Sequence, residues 1–492
     1  MATLKFRRQF LLTPTDTEEL SDWNHERLAS YNLYSHPDCA KYKVAIRTKE
    51  GVILGHVLDP KKPERSTMDI LRDIVMQENE TGVAKELYGL VGRFVLIINS
   101  NGRFVFFNDA CGLKSFFYTK YEGQLHMASQ PLLLKMVTGN LIVKGERYNS
   151  FFDSEYVKRN KESWFPSGTS LYEGVYHLVP NHYLKSESLE QVRYWPIKAL
   201  ELEDYESSLK KFSNLLRMTM EAGSKKYNLA LGLTAGFDSR IILSATKGVK
   251  DKTLYYTLQY RNLTKDSRDI AIPLNLKKVL KINHKLMDCR IPLDKDFGRI
   301  YVENSDMAHL DDWGFIANGI SKNLPKDVMA IKGSCSETGR CYFYKSGKHP
   351  NFSSSSDIVN YNRNWKGIRF IEERISDWYD EVNKESVNKG YNILDLFHWE
   401  VSTGSWQTQN QLEWDLVHDT FTPFNNRELL DIMLHIDTKF RSKPDYILYT
   451  ETMKLLWPEV LSQPINPLSN RDWLKTNIKV ALTKVGFERF NH

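Results

Sequence analysis

Along the first two hundred positions apolar residues come in short runs that end at turn residues, the pattern of β-strands rather than of long helices. Leu87 to Asn99 and Gly102 to Asn108 are two such runs, joined at Ser100-Asn101-Gly102. Asn-Gly between apolar runs predicts a two-residue hairpin, because both residues accept the positive φ that such a turn needs. Ser115 to Thr119 and Gln124 to Ala128 repeat the arrangement around Tyr121-Glu122-Gly123. Gly168 to Leu184 adds a further pair of strands, ending near Tyr194-Trp195-Pro196.

After Pro196 the period changes. Leu209, Phe212, Leu216 and Met220 are spaced for one face of a helix over Asp204 to Ala222. Tyr227 to Leu233 is a short apolar run, followed by a small-residue loop and a helical run from Arg240. Strand, loop and helix in that order open an α/β unit with a parallel sheet. A chain of 492 residues exceeds what one core supports, since single cores stop growing at roughly 250–300 residues. The change of texture puts the boundary near residue 200, giving domains 1–200 and 201–492. Lys345 to Asn364, with Ser353-Ser354-Ser355-Ser356 inside it, reads as a polar surface loop, and the chain beyond it reads as mostly helical.

The net charge of +6 and pI near 8.7 are mild for this length, and no block of five like charges occurs. That is a solvated surface with a small lysine excess and argues against a nucleic-acid partner. The five cysteines are dispersed, with no C-x-x-C pair, which argues against a structural zinc or a disulfide framework. Met1-Ala2-Thr3-Leu4-Lys5-Phe6-Arg7-Arg8 has no apolar core before its charges, and the chain contains no run of 18 apolar residues. No membrane partner and a cytoplasmic location are the expectation.

The segment richest in chemistry is Leu229-Ala230-Leu231-Gly232-Leu233-Thr234-Ala235-Gly236-Phe237-Asp238-Ser239-Arg240. A buried strand runs into small or hydroxylated residues, and a helix begins near Asp238. The first N–H groups of a helix lack intrahelical partners, and its dipole favours a negative group there. Thr234 and Ser239 add hydroxyl donors. A carboxylate beside a phosphate site suits Mg²⁺, which takes one or two carboxylates together with phosphate oxygens. A glycine turn capped by Asp238 is the other reading of the same residues.

Thr234-Ala235-Gly236-Phe237-Asp238-Ser239 resembles the S-G-G-x-D-S turn of the N-type ATP pyrophosphatases. Within that group the chain is similar to asparagine synthetase and its relatives, beta-lactam synthetase and the lasso-peptide cyclases. Leu87 to Phe94 resembles the family's L-x-G-x-F segment, and Asn108 to Tyr118 its R-D-x-x-G-x-K-P-L-Y-Y segment. Ala128-Ser129-Gln130 stands where the family has A-S-E, and Pro180-Asn181-His182 where it has P-G-H. Asp269 to His284 looks like the acidic-then-helical segment, and Thr422 to Leu430 like the V-P-F-L-D segment. His284 also reads as a packing histidine of an amphipathic helix.

The resemblance implies an Ntn-hydrolase-like αββα sandwich followed by an adenine-nucleotide alpha-hydrolase-like parallel sheet with helices. It implies ATP and Mg²⁺ as cofactors, and a ligase that adenylates a carboxylate and passes the acyl group to an amine or ammonia. Leu233, Thr234, Ala235, Gly236, Phe237, Asp238, Ser239 and Gly333 would hold the nucleotide, and Asp238 and Glu337 the metal. Glu337 falls on the acid of the family's L-T-G-x-G-x-D pattern, here Ile331-Lys332-Gly333-Ser334-Cys335-Ser336-Glu337, with Cys335 at a glycine position and Lys332 as either a surface lysine or a pyrophosphate contact.

Two departures shape the expectation. A glutaminase of this class uses an N-terminal cysteine; here Met1 precedes Ala2 and the first cysteine is Cys39, so no glutaminase activity is expected. The family's late lysine has no counterpart between Lys454 and Lys475, leaving Arg471 or Lys475 as the catalytic cation. Glu413 and Asp415 stand where relatives place substrate-facing acids. Partners on this reading are a small-molecule or peptide carboxylate and an amine donor, with a homodimer as an allowed assembly. Two alternatives stay open: an impaired relative that binds nucleotide or a partner protein, and an ammonia-dependent asparagine synthetase.

Overall fold

The computed structural model describes residues 4–139, 146–154, 165, 168–305, 308–348, 350–362 and 365–467. Twelve strands of the first half form two six-stranded antiparallel sheets. One runs in the order β10 (Val175–His177), β8 (Phe117–Tyr121), β9 (Gln124–Ala128), β1 (Phe10–Thr13), β3 (Tyr31–Ser35), β2 (Asn24–Leu28). The other runs β12 (Gln191–Arg193), β11 (His182–Lys185), β7 (Arg103–Asn108), β6 (Val91–Ser100), β5 (Lys49–Leu58), β4 (Lys41–Ile46).

Side chains alternate across each sheet, and β6 is apolar on both of its faces because both are covered. Its Val95 and Ile97 fill the space between the sheets with Leu12, Phe106, Phe116 and Met127. Its Phe94, Leu96 and Ile98 face outward onto α1 (Thr67–Val75) and α2 (Glu80–Leu87). Helix α3 (Pro131–Thr138) covers the other sheet, against β1, β8 and β9. The result is the expected αββα sandwich. The hairpins form as read: Ser100 pairs with Arg103 around Asn101 and Gly102, at φ of 53° and 85°, and Tyr121 pairs with Gln124 around Glu122 and Gly123. The apolar run from Leu87 is shared by two elements, because Leu87 closes α2 and the strand begins only at Val91.

The second half holds a five-stranded sheet, all parallel, in the order β15 (His284–Asp288), β14 (Thr253–Gln259), β13 (Asn228–Gly232), β16 (Val328–Ile331), β17 (Asp419–Phe421). Helix α4 (Tyr205–Lys226) starts at Asp204, whose carboxylate accepts the Ser207 N–H, and buries Leu209, Phe212, Leu216 and Met220. After β13 comes α5 (Phe237–Ala245), and between β14 and β15 comes α6 (Arg268–Leu280). Two expectations change here. His284 opens β15 instead of closing a helix; it is buried, with Nε2 2.8 Å from Thr257 Oγ1. The polar stretch expected as a loop contains α7 (Ser355–Asn362), whose buried Ile358 and Val359 pack toward α8 (Arg369–Glu385); two apolar residues among serines were enough to form it.

The two halves are joined by buried charge. Arg93 of β6 grips Asp415 with both terminal nitrogens, at 2.5 and 2.8 Å, with side chains only 2% and 1% exposed. Arg193 of β12 grips Glu400 in the same way, and Glu400 also accepts from Asn181 and Trp378. Asp109 ties its own turn by accepting the N–H groups of Phe94, Leu113 and Lys114. Beside it Asn425 accepts the Cys111 N–H and donates to the Gly92 carbonyl. The segment before β1 is a clasp: Arg7 and Arg8 donate to the carbonyls of Leu416 and Asp415, and Gln9 to that of Asn304. Glycine is required at 404, where a Cβ would lie 2.6 Å from the Pro180 ring.

Removing one partner of a buried pair strands the other charge, which costs about 3–5 kcal/mol. Asp415→Ala is therefore expected to lower the unfolding free energy from urea titration by that order, while Arg93→Met combined with Asp415→Leu recovers most of the loss. A single variant within about 1 kcal/mol of the parent protein would remove the pair from this role.

Candidate active site

In the parallel sheet the chain moves from β13 to β14 and β15 on one side, then to β16 and β17 on the other. Strand order reverses between β13 and β16, and such a switch leaves a crevice outside the carboxyl ends of the strands. A cleft of 680 Å³ lies there, within the range of small-molecule sites. Leu233, Thr234, Asp238 and Ser239 line it from the turn after β13, and Lys332, Gly333 and Glu337 from the turn after β16.

The first turn is held open by its own hydroxyls. The Thr234 N–H donates to Ser239 Oγ at 3.1 Å, and the Gly236 N–H to Thr234 Oγ1 at 3.1 Å. Asp269 at the start of α6 accepts the Ala235 N–H at 3.0 Å, and the Ala235 carbonyl accepts the Asn466 N–H at 3.0 Å. Gly236 is the N-cap of α5 and contributes no side-chain cap to it. The first N–H groups of α5 thus stand at the turn without the usual capping oxygen. Ala235, Gly236 and Phe237, expected among the nucleotide contacts, do not line the cleft. Ala235 is buried with both backbone groups engaged, and the Phe237 ring packs 5.0 Å from Tyr446 and 6.3 Å from Tyr449. The turn uses them as anchors because its exposed side carries Thr234 and Asp238.

Asp238 and Glu337 come together as expected, but on a third residue. Arg340 Nη2 lies 3.2 Å from Asp238 Oδ2 and 3.5 Å from Glu337 Oε1. Ser336 Oγ donates to the other Asp238 oxygen. Burial, then the nearby Asp238 charge, raises the Glu337 carboxyl to about 7. Burial pulls the Arg340 pKa down, yet Asp238, Tyr449 and Glu337 together hold it above its ordinary value. Gly333 is the close-approach glycine of the pair of turns, since a Cβ there would sit 3.0 Å from Asp238 Cβ. Cys335 takes φ 74°, a left-handed backbone conformation more usual for glycine.

Two carboxylates converging on one point are the oxygen donors Mg²⁺ asks of a protein, the rest coming from phosphate and water. Among the described residues no group of three or more His, Cys, Asp or Glu side chains could hold an ion by itself. Asp238 and Glu337 therefore fit a metal that arrives with phosphate, at a point where a guanidinium stands.

Other expected residues fall elsewhere. Arg471 and Lys475 lie outside the described residues. Glu413 is fully buried, accepting from Tyr301 at 2.7 Å, Gln409 at 2.9 Å and the His309 N–H at 3.1 Å, with His309 Nδ1 2.8 Å away. Asp415 belongs to the domain interface. Neither faces a substrate, because each has its oxygens committed to internal partners. Arg340 was not read from the sequence, although its spacing of three from Glu337 on one helical turn was a usable signal. Trp414, whose ring underlies Lys332 at 3.4 Å, left no such signal. All five cysteines are buried, and burial raises the Cys39 thiol above its ordinary value. No helix among the described residues is long and apolar enough to cross a membrane.

No protein-family model matches the chain, and no curated protein matches it in sequence. Among solved structures, the allosteric regulatory enzyme of purine biosynthesis is similar over 58% of this chain and 76% of its own, at 8% identity and a TM-score of 0.25. Glutamine phosphoribosylpyrophosphate amidotransferase from B. subtilis, complexed with ADP and GMP, gives 9% identity over 58% of this chain and 76% of its own, with a TM-score of 0.24. The NH3-dependent NAD synthetase of Campylobacter jejuni gives 14% identity over 39% of this chain and 90% of its own, with a TM-score of 0.21. At such scores the likeness does not bear on what this chain does.

Proposed function

We propose that the chain is an ATP- and Mg²⁺-dependent carbon–nitrogen ligase, its two domains dividing near residue 200. The reading rests on one juxtaposition: Asp238 and Ser239, in the first turn of a helix whose start has no side-chain cap, line the same crevice as Glu337 at the carboxyl ends of a parallel sheet. Leu233, Thr234, Ser239 and the start of α5 would hold phosphate, with Asp238 and Glu337 as ligands of magnesium. A carboxylate oxygen attacks the α-phosphorus and pyrophosphate leaves; an amine then attacks the acyl carbon and AMP leaves. The protein's part is to hold the carboxylate and α-phosphate in line and to offset the growing negative charge.

Lys332 supports the charge-offsetting role. It stands at the end of β16 in the cleft wall and makes no ion pair within 4 Å among the described residues. A cation without a counter-ion in the wall of a crevice is matched to an incoming anion. The buried cysteines supply no exposed thiolate in the first domain, so the amine or ammonia would come from outside.

Incubation with ATP, Mg²⁺ and a panel of carboxylates should give exchange of labelled pyrophosphate into ATP with at least one acid. Asp238→Asn should cut that exchange by about a hundredfold or more. ATP binding with no exchange for any acid, and no response to Asp238→Asn, would favour instead a relative that binds nucleotide without turnover, a reading that Arg340 between the carboxylates also supports. AMP release dependent on aspartate and ammonia would identify the narrower asparagine-forming case.

Burial, then the Arg93 charge, pushes the Lys332 ammonium down to about 7. The unfolded chain holds that proton up to the ordinary lysine range. Between the two values it binds more protons than the folded chain, so this residue makes stability rise with pH. Lys332→Met should therefore stabilise the protein more at about pH 6 than at about pH 9. Urea titrations giving the same difference at both would contradict the buried charge.

A further inference from the structure

Arg340 is held where a metal would be expected, and held firmly. It comes directly after the helical turn Ser336–Gly339 that carries Glu337. Its guanidinium lies 5.4 Å from the Tyr446 ring and 5.9 Å from the Tyr449 ring, and the side chain is 12% exposed. Tyr449 is fixed in turn by donating to the Ser336 carbonyl at 2.9 Å, and Ser336 is the residue that donates to Asp238. One cation thus neutralises part of two carboxylates inside a small aromatic cage. One group in this arrangement is unanswered: Arg340 Nε is buried and has no hydrogen-bond acceptor among the described residues. A planar guanidinium with a spare donor is suited to phosphate oxygens.

We infer that Arg340 is a resident counter-ion that competes with the divalent cation for Asp238 and Glu337, so that metal enters only together with an anionic phosphate ligand that receives the displaced guanidinium. This rests on the nucleotide reading of the cleft. The charges argue for it. With both acids ionised, Asp238, Glu337 and Arg340 sum to minus one, so this cluster by itself offers a bare triphosphate no net attraction. Metal alone meets a positive group already filling the space between its ligands. When both arrive, the metal takes the carboxylates and the guanidinium turns to the phosphate. Each ligand then raises the affinity for the other by the same factor, as linkage requires. Arg340 is a positioning residue in this scheme: it sets the order in which ligands enter and forms no bond to reacting atoms.

The test uses the full chain and Mn²⁺ as the probe, with protein-bound Mn²⁺ read by water-proton relaxation and the α,β-methylene analogue of ATP as the phosphate ligand. The unaltered protein should bind Mn²⁺ alone weakly and about tenfold or more tightly with the analogue present. Arg340→Gln should bind Mn²⁺ alone about tenfold more tightly than the unaltered protein and lose most of that coupling. Arg340→Lys keeps the charge without the fork and should fall between them; if Arg340→Gln does not fold, a gain in Mn²⁺ affinity for Arg340→Lys carries the test. Equal Mn²⁺ affinity in the variants and the unaltered protein would overturn the inference. Failure of the unaltered protein to bind the analogue at all, with or without Mn²⁺, would instead overturn the nucleotide reading, while the effect of Arg340 on Mn²⁺ alone would still be measured.

Discussion

The buried pairing of Arg93 with Asp415 is the interaction on which the rest of this structure depends. Both groups are withdrawn from water, and the other charged partners of each stand off at 3.9 Å. Such a pair contributes little net stability over an apolar contact, but it strongly penalises any arrangement in which the halves part or slip. Arg193 with Glu400 repeats the device at a second point of the interface. The clasp of Arg7, Arg8 and Gln9 and the tight approach of Pro180 to Gly404 join the halves at further points of this seam.

That seam matters to the crevice because Asp415 and Asp419 lie on the segment that leads into β17, the strand beside β16. β16 ends at Ile331, and the next residues are Lys332 and Gly333 in the cleft wall. Arg93 also adds to the field that lowers the Lys332 pKa. The sandwich therefore acts on the crevice through electrostatics and through the placement of one sheet edge. On the other flank, Asp269 and Asn466 pin the backbone of Ala235 from two elements. The turn between β13 and α5 is thus tied at Ala235 without a ligand, and constraint of that kind lowers the entropy cost of binding one.

Much of the architecture was legible because it depends on local rules. Asn101-Gly102 and Glu122-Gly123 specify tight hairpins by their tolerance of positive φ, and Asp204 with the apolar face of α4 specifies a helix. The strand–turn–helix around Gly236 was legible for the same reason. The errors arose where sequence-distant packing decides. Leu87 joins a helix because α2 covers β6, and His284 starts a strand because Thr257 on β14 answers it. Short α7 exists because α8 offers a surface for Ile358 and Val359.

The motifs around Arg93, Asp109, Asn181 and Asn425 stood out in the sequence, yet their spacing says nothing of what they touch; in the structure they form the seam between the halves rather than a reaction site. Glu413 and Asp415 stood as candidate substrate-facing acids in the sequence and are consumed by buried partners in space. What the sequence by itself determined was the order of elements and the chemistry of the turn after β13, since both arise from residues within a few positions of one another. Asp238 and Glu337 were paired beforehand only by resemblance; the tertiary structure decided that they meet on Arg340, which already stands there. Convergence of that kind depends on strand order, and strand order is set by packing over distances that no local spacing records.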